Sequence, residues 1–248
     1  MAKGSMMPDL SVAESQSKTS LSLLGRLWKL AKGMSMMFLW VAAVFAGAGR
    51  FDWARGWICT AIYLVTMTVT GALMHRFNPG LLKARGKFMR KDTKGFDKIF
   101  MSIYFPLTFI QVAVAGLDAV RFRWMPMPQW TIFPGIALFL AAMALTAWTF
   151  LVNPFAETTV RIQSDRGHRV VSTGPYRVAR HPMYVGSILM YPATALMFGS
   201  GWAMAVAALM VFLIVWRTGH EDRFLRRELA GYQEYAALTR YRLFPGIW

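Results

Sequence analysis

Two segments of the chain, 153–182 and 217–248, concentrate side chains suited to holding a small charged molecule. Residues 174–186 read GPYRVARHPMYVG, and residues 217–224 read RTGHEDRF. The carboxylate of Glu221 suits ribose hydroxyls or an ammonium group. The rings of Tyr176 and Tyr184 can stack on a base or a sulfonium. Arg217 or Arg240 suits an anion through a bidentate contact. Glu221 or His220 is a candidate to take a proton from a bound group. Gly174 and Gly186 permit close approach of backbone or ligand. Pro182 sits where a helix can begin, which leaves unpaired N–H groups for an acceptor on a ligand. The plainer alternative is an interfacial network of opposite charges, with arginines snorkelling to headgroups. That alternative does not require the spacing Tyr-x-x-x-Arg-His-Pro-x-Tyr-x-Gly.

The two segments are far apart in sequence, but the chain between them brings them together. Two apolar runs, 183–198 and 202–216, are joined only by Gly199-Ser200-Gly201, a turn signal. His181 lies 19 residues before Ser200 and Gly219 lies 19 after it. Two antiparallel helices of equal rise therefore set His181 level with Gly219, His220 and Glu221, within about a turn.

Four further apolar segments precede this hairpin, at 34–49, 56–74, 99–119 and 130–152. None alternates with period 2, and all are long enough for helix. The chain of 248 residues is 56% hydrophobic and 16% charged, with mean hydropathy +0.37. A soluble domain carries about 25% charged residues. The reading is an all-α, multi-pass transmembrane bundle of about six spans. Residues 1–33 form a polar tail with a basic amphipathic stretch, LSLLGRLWKLAKG. Residues 34–152 hold four spans and a basic loop at 75–98, and residues 153–248 hold the chemistry. With this division, 24 of the 28 Lys and Arg fall on one side, and only Arg50, Arg55, Arg121 and Arg123 on the other. The positive-inside rule then places both termini in the cytoplasm. The net charge of +16 is matched to anionic headgroups rather than to nucleic acid. One cysteine and four scattered histidines give no metal-ligand spacing. No G-x-G-x-x-G is present, so no soluble Rossmann domain is expected.

GPYRVARHPMYVG followed by GHEDRFLRRELAGYQEYAALTRYRLFPGIW resembles the integral-membrane methyltransferases related to isoprenylcysteine carboxyl methyltransferase. The shared pattern is G-P-Y-x-x-x-R-H-P-x-Y-x-G, an apolar hairpin, an acidic pair at Glu221-Asp222, tyrosines 232, 235 and 241, and the late Pro245. The upstream stretch NPGLLKARGK, residues 78–87, is also similar. At Asp222 the chain departs from the usual Glu-Glu, keeping the charge on a shorter arm. The resemblance implies S-adenosylmethionine as methyl donor on the cytoplasmic side, held by Tyr176, Arg180, His181, Pro182, Tyr184, Gly186 and Glu221. It also implies a lipid-like acceptor entering from the bilayer. Two other readings stand beside it. One is an NADPH-dependent sterol-type reductase, which this chain fits less well because no cysteine follows Cys59. The other is a non-catalytic lipid-binding membrane protein.

Overall fold

The structure, a computed structural model, describes residues 35–87 and 90–248. The polar tail and its amphipathic stretch lie outside the described residues. Six apolar helices are present: α1 (Ser35–Ala48) and α2 (Ala54–Phe77), then, after a short helix α3 (Pro79–Arg85), α4 (Gly95–Gly116), α5 (Ile132–Val152), α6 (Pro182–Phe198) and α7 (Gly201–Glu228). A last short helix, α8, covers Tyr232–Leu238. Among the described residues there is no strand beyond one isolated bridge, Pro126 with Ser200. Ala43–Trp248 form one compact unit; of the other, Met1–Ala42, the described part is the first turns of α1.

The all-helical expectation holds. Among the described residues four helices are long and apolar enough to cross a membrane: Ala54–Phe77, Gly95–Phe122, Gln129–Val152 and Gly201–Glu228. The other two apolar helices, α1 and α6, are shorter. Large apolar side chains stay exposed on the long helices, among them Val65, Val69, Ile103, Ile110, Phe133 and Phe212. That is the pattern of a bundle whose outer face meets lipid.

Element ends follow from local chemistry. Asn78 closes α2 and opens α3, where its side-chain oxygen accepts from the N–H of Leu81 and Pro79 takes the first helical position. The α6–α7 turn forms where the sequence places it. Gly199 ends α6 at φ 77°, a left-handed conformation that glycine adopts without strain. Ser200 then caps α7 by accepting from the N–H of Ala203. The carboxylate of Asp118 fastens this end by accepting from Ser200 Oγ and from the backbone N–H groups of Trp202 and Met125. Arg55 is also buried here and donates to the carbonyls of Leu196 and Met197, the last turn of α6. A cation at a helix C-terminus is favourably placed.

Helix α7 runs on beyond its apolar part. The apolar run ends at Trp216, yet the helix continues to Glu228. Arg217, Glu221 and Asp222 therefore project from a rigid helix that begins at the opposite end of the bundle.

Candidate functional site

At the end of the hairpin opposite Ser200, α6 and α7 meet the loop 153–181 and the C-terminal segment. The hub is Asp222, fully buried. Its two oxygens receive Arg180 in a two-pronged contact, Nε at 2.7 Å and Nη2 at 3.1 Å. Arg226 and Arg242 each donate through Nε, at 3.1 and 3.0 Å. The Tyr232 hydroxyl donates at 3.1 Å, and His181 Nε2 lies 3.5 Å away. Arg180 also donates through Nη1 to the carbonyls of Thr239 and Arg240. A guanidinium has five N–H groups, so only one of them, on Nη2, remains for a ligand. The N–H groups of Arg180 and His181 donate to the carbonyls of Tyr241 and Arg242. The C-terminal segment is thereby tied to the start of α6.

Glu221, the neighbour of Asp222, is placed differently. It is half-buried and faces a cleft lined by Asn153, Glu157, His168, Tyr176, Arg180, His181, Tyr184, Arg217 and Tyr232. The Tyr184 hydroxyl donates to Glu221 Oε2. Among the described residues Glu221 makes no ion pair. The other carboxylate lining the cleft, Glu157, is engaged by Arg90, Arg161 and Arg166. Glu221 is thus the carboxylate left to bind something from outside. Arg217 reaches the same cleft from one turn earlier. Its Nε is 2.8 Å from Asp97 Oδ1, and its Nη2 donates to the carbonyl of Thr158. Its guanidinium lies between the rings of Phe100 and Tyr184, at 4.6 and 5.2 Å.

The wall across from α7 is built from the irregular segment after α5. Asn153 donates to the hydroxyl of Tyr176, and the hydroxyl of Tyr235 donates to the Tyr176 carbonyl. Burial pushes the Tyr176 phenol well above its ordinary pKa and Tyr235 up to about 12, so both stay protonated. Burial pulls His168 down from its ordinary value. Its Nδ1 accepts from the backbone N–H of Gln163, which requires an unprotonated nitrogen. Because the unfolded chain takes up the proton first, stability is lost as pH falls below the ordinary value of about 6.5. The melting temperature of the wild type is expected to drop more between neutral and acidic pH than that of His168→Gln.

Of the residues expected at the site, the structure brings together Tyr176, Arg180, His181, Tyr184, Arg217 and Glu221. Gly174, Pro182, Gly186, His220 and Arg240 do not line the cleft. Gly174 holds φ 58° at the turn before Pro175. Pro182 occupies the first position of α6. The N–H groups of Tyr184 and Val185 both turn to the His181 carbonyl, so fewer are free there than expected. Gly186 serves helix packing: a Cβ there would lie 2.3 Å from Thr146 Oγ1 of α5. His220 directs Nδ1 to the Trp216 carbonyl and packs between Trp216 and Phe96. Arg240 is exposed and opens on a separate cleft with Arg177 and Tyr241. Glu157, Arg161, His168 and Asn153 escaped the sequence reading. Their one signal was a polar stretch of the right length beside the motif. Among the described residues no group of three metal-ligating side chains occurs.

The fold and site together define an all-helical integral membrane protein with a polar cleft at one end of a helical hairpin. Residues 130–230, which run from the start of α5 through α6 and α7, match the family model described as phospholipid methyltransferase. Over that segment, about two fifths of the chain, it is similar to this family. No curated protein matches the chain.

Proposed function

We propose that the chain is an S-adenosylmethionine-dependent methyltransferase acting on a lipid-like acceptor at the cytoplasmic face of a membrane. The observation that carries this reading is the pairing of Glu221 with Asp222. One acid is consumed by three arginines and builds the cleft. The next is offered to the cleft with, among the described residues, only a tyrosine hydroxyl on it. A free carboxylate beside the rings of Tyr176 and Tyr232 suits a ligand with ribose hydroxyls, an ammonium and a base. When bound, S-adenosylmethionine supplies a methyl group on a positively charged sulfur.

The chain's own contribution is alignment. Methyl transfer by in-line displacement needs the acceptor held against the methyl more than it needs a strong acid or base. Arg180 and His181 are fixed by Asp222 and Tyr232, so this wall of the cleft is set without the ligand. The cleft is narrow, about 90 Å³, whereas ligand pockets run to about 300–1,000 Å³. Entry of a nucleoside therefore requires side chains of the 155–171 loop to move outward. The sidedness of basic residues supports a cytoplasmic position for this cleft and both termini, where anionic headgroups meet the basic loops. The test is transfer of labelled methyl from S-adenosylmethionine to a membrane lipid extract by purified protein. Extractable label that is lost in Glu221→Gln supports the reading; label unchanged in that variant contradicts it.

A further inference from the structure

A second cleft, of about 250 Å³, opens where the C-terminal segment meets the turn before α6. Arg177, Val178, Leu238, Arg240 and Tyr241 line it, and no carboxylate does. It shares no residue with the polar cleft around Glu221. Backbone pairing holds its two halves together: the N–H groups of Arg180 and His181 donate to the carbonyls of Tyr241 and Arg242. Residues 238–241 are thereby set beside residues 177–178.

Both arginines are exposed, and among the described residues neither guanidinium has a hydrogen bond or an ion pair. Arg161, Arg180 and Arg217, in contrast, are buried against carboxylates. Beside the two free cations stand two apolar side chains: Leu238 is 86% exposed and Val178 is 56% exposed. A single exposed apolar residue is ordinary on a protein surface. Two of them flanking a pair of unpaired arginines repeat the make-up of a membrane interface, with hydrocarbon on one side and phosphate on the other.

The position agrees with that. Gly174, three residues before Arg177, packs on the last turns of α5: a Cβ there would lie 3.2 Å from both Trp148 Nε1 and Val152 Cγ1. Helix α5 is apolar to its end at Val152, and Trp148 is exposed, as a tryptophan at a membrane–water boundary is. Val178 lies four residues before α6 begins. The cleft is therefore level with the end of the lipid-facing belt.

We propose that this cleft seats the phosphate of an anionic phospholipid from the adjoining leaflet. Arg177 and Arg240 hold the phosphate, and Val178 and Leu238 enter the neighbouring hydrocarbon. Two guanidinium forks without partners match the oxygens and the charge of a phosphate. A free phosphate would leave Val178 and Leu238 uncovered. The lipid here is a bound neighbour and not a substrate, so the seat stands apart from the reaction. It is joined to the hub at Asp222 through the backbone, because Arg180 donates to the carbonyls of Thr239 and Arg240.

The test places an apolar bimane label at position 238 through Leu238→Cys. The chain's own Cys59 is buried, so the label goes to the new site. The full chain is reconstituted in nanodiscs holding phosphatidylcholine and phosphatidylglycerol in equal amounts, with bromine on the acyl chains of one lipid or of the other. Bromine on phosphatidylglycerol is expected to quench the label at least about twofold more than bromine on phosphatidylcholine. Arg177→Gln and Arg240→Gln are each expected to lose part of that excess, and together all of it. The control, Lys83→Gln with Lys87→Gln, removes the same charge from the basic loop and is expected to keep the excess. Equal quenching by the two lipids, no quenching by either, an excess that survives loss of both arginines, or an excess removed equally by the lysine control overturns the proposal. Inorganic phosphate that abolishes the excess, where chloride at the same ionic strength does not, marks a small-anion site and overturns the lipid seat as well.

Discussion

Asp222→Asn is expected to abolish S-adenosylhomocysteine binding and to lower the melting temperature of the purified protein by roughly 10 °C. Asp222 is the single counter-charge shared by Arg180, Arg226 and Arg242, and it also holds Tyr232 and His181. An amide keeps the shape but removes the charge, leaving the buried Arg180 guanidinium uncompensated. Breaking a buried pair from one side costs about 3–5 kcal/mol. The damage should spread, because Arg180 also fastens the carbonyls of Thr239 and Arg240. Asp222→Glu offers a check on geometry. The charge is restored but the longer arm must displace three fixed partners, so recovery should be partial. Full binding and an unchanged melting temperature in Asp222→Asn would show that the arginine cluster does not depend on this acid.

Glu221→Gln is expected to behave in the opposite way. Its only hydrogen bond among the described residues comes from Tyr184, and a glutamine oxygen accepts that equally well. The melting temperature should therefore stay close to wild type. The loss falls on the ligand, because a hydrogen bond to a charged group is worth about 1.5–3 kcal/mol. S-adenosylhomocysteine affinity should fall about 10- to 100-fold. The two adjacent acids on one helix would then be told apart by stability: Asp222→Asn loses binding and melting temperature together, Glu221→Gln loses binding alone. Isothermal calorimetry and a thermal melt on both variants read that separation directly.

The sequence carried the hairpin and much of the cleft because both rest on short-range rules. The Gly199-Ser200-Gly201 turn and equal helix rise set His181 against residues 219–221, and the structure pairs Tyr184 with Glu221 and Arg180 with Asp222, within the turn allowed. What it did not carry depends on side chains meeting across irregular backbone. The 153–173 segment has no period to read, so nothing announced that Glu157 would gather three arginines or that Asn153 would hold Tyr176. Arg85 read as one of eight cations in a basic loop, and only the return of α3 against residues 156–158 turns it inward. Hydropathy ended the last apolar run at Trp216, and helix rise carried the reading to residues 219–221, whereas the helix continues to Glu228. Arg240 and His220 lay near the motif in sequence, but the helix face of one and the exposed position of the other carry them away from the cleft.

The central claim is that the cleft between Glu221, Tyr176 and Arg180 holds S-adenosylmethionine. Calorimetric titration of S-adenosylhomocysteine into the detergent-purified wild type, with NADPH titrated in parallel, tests it most directly. Saturable one-to-one binding of the first and none of the second is the predicted result. A well-folded sample that binds NADPH, or that binds neither, would contradict the account.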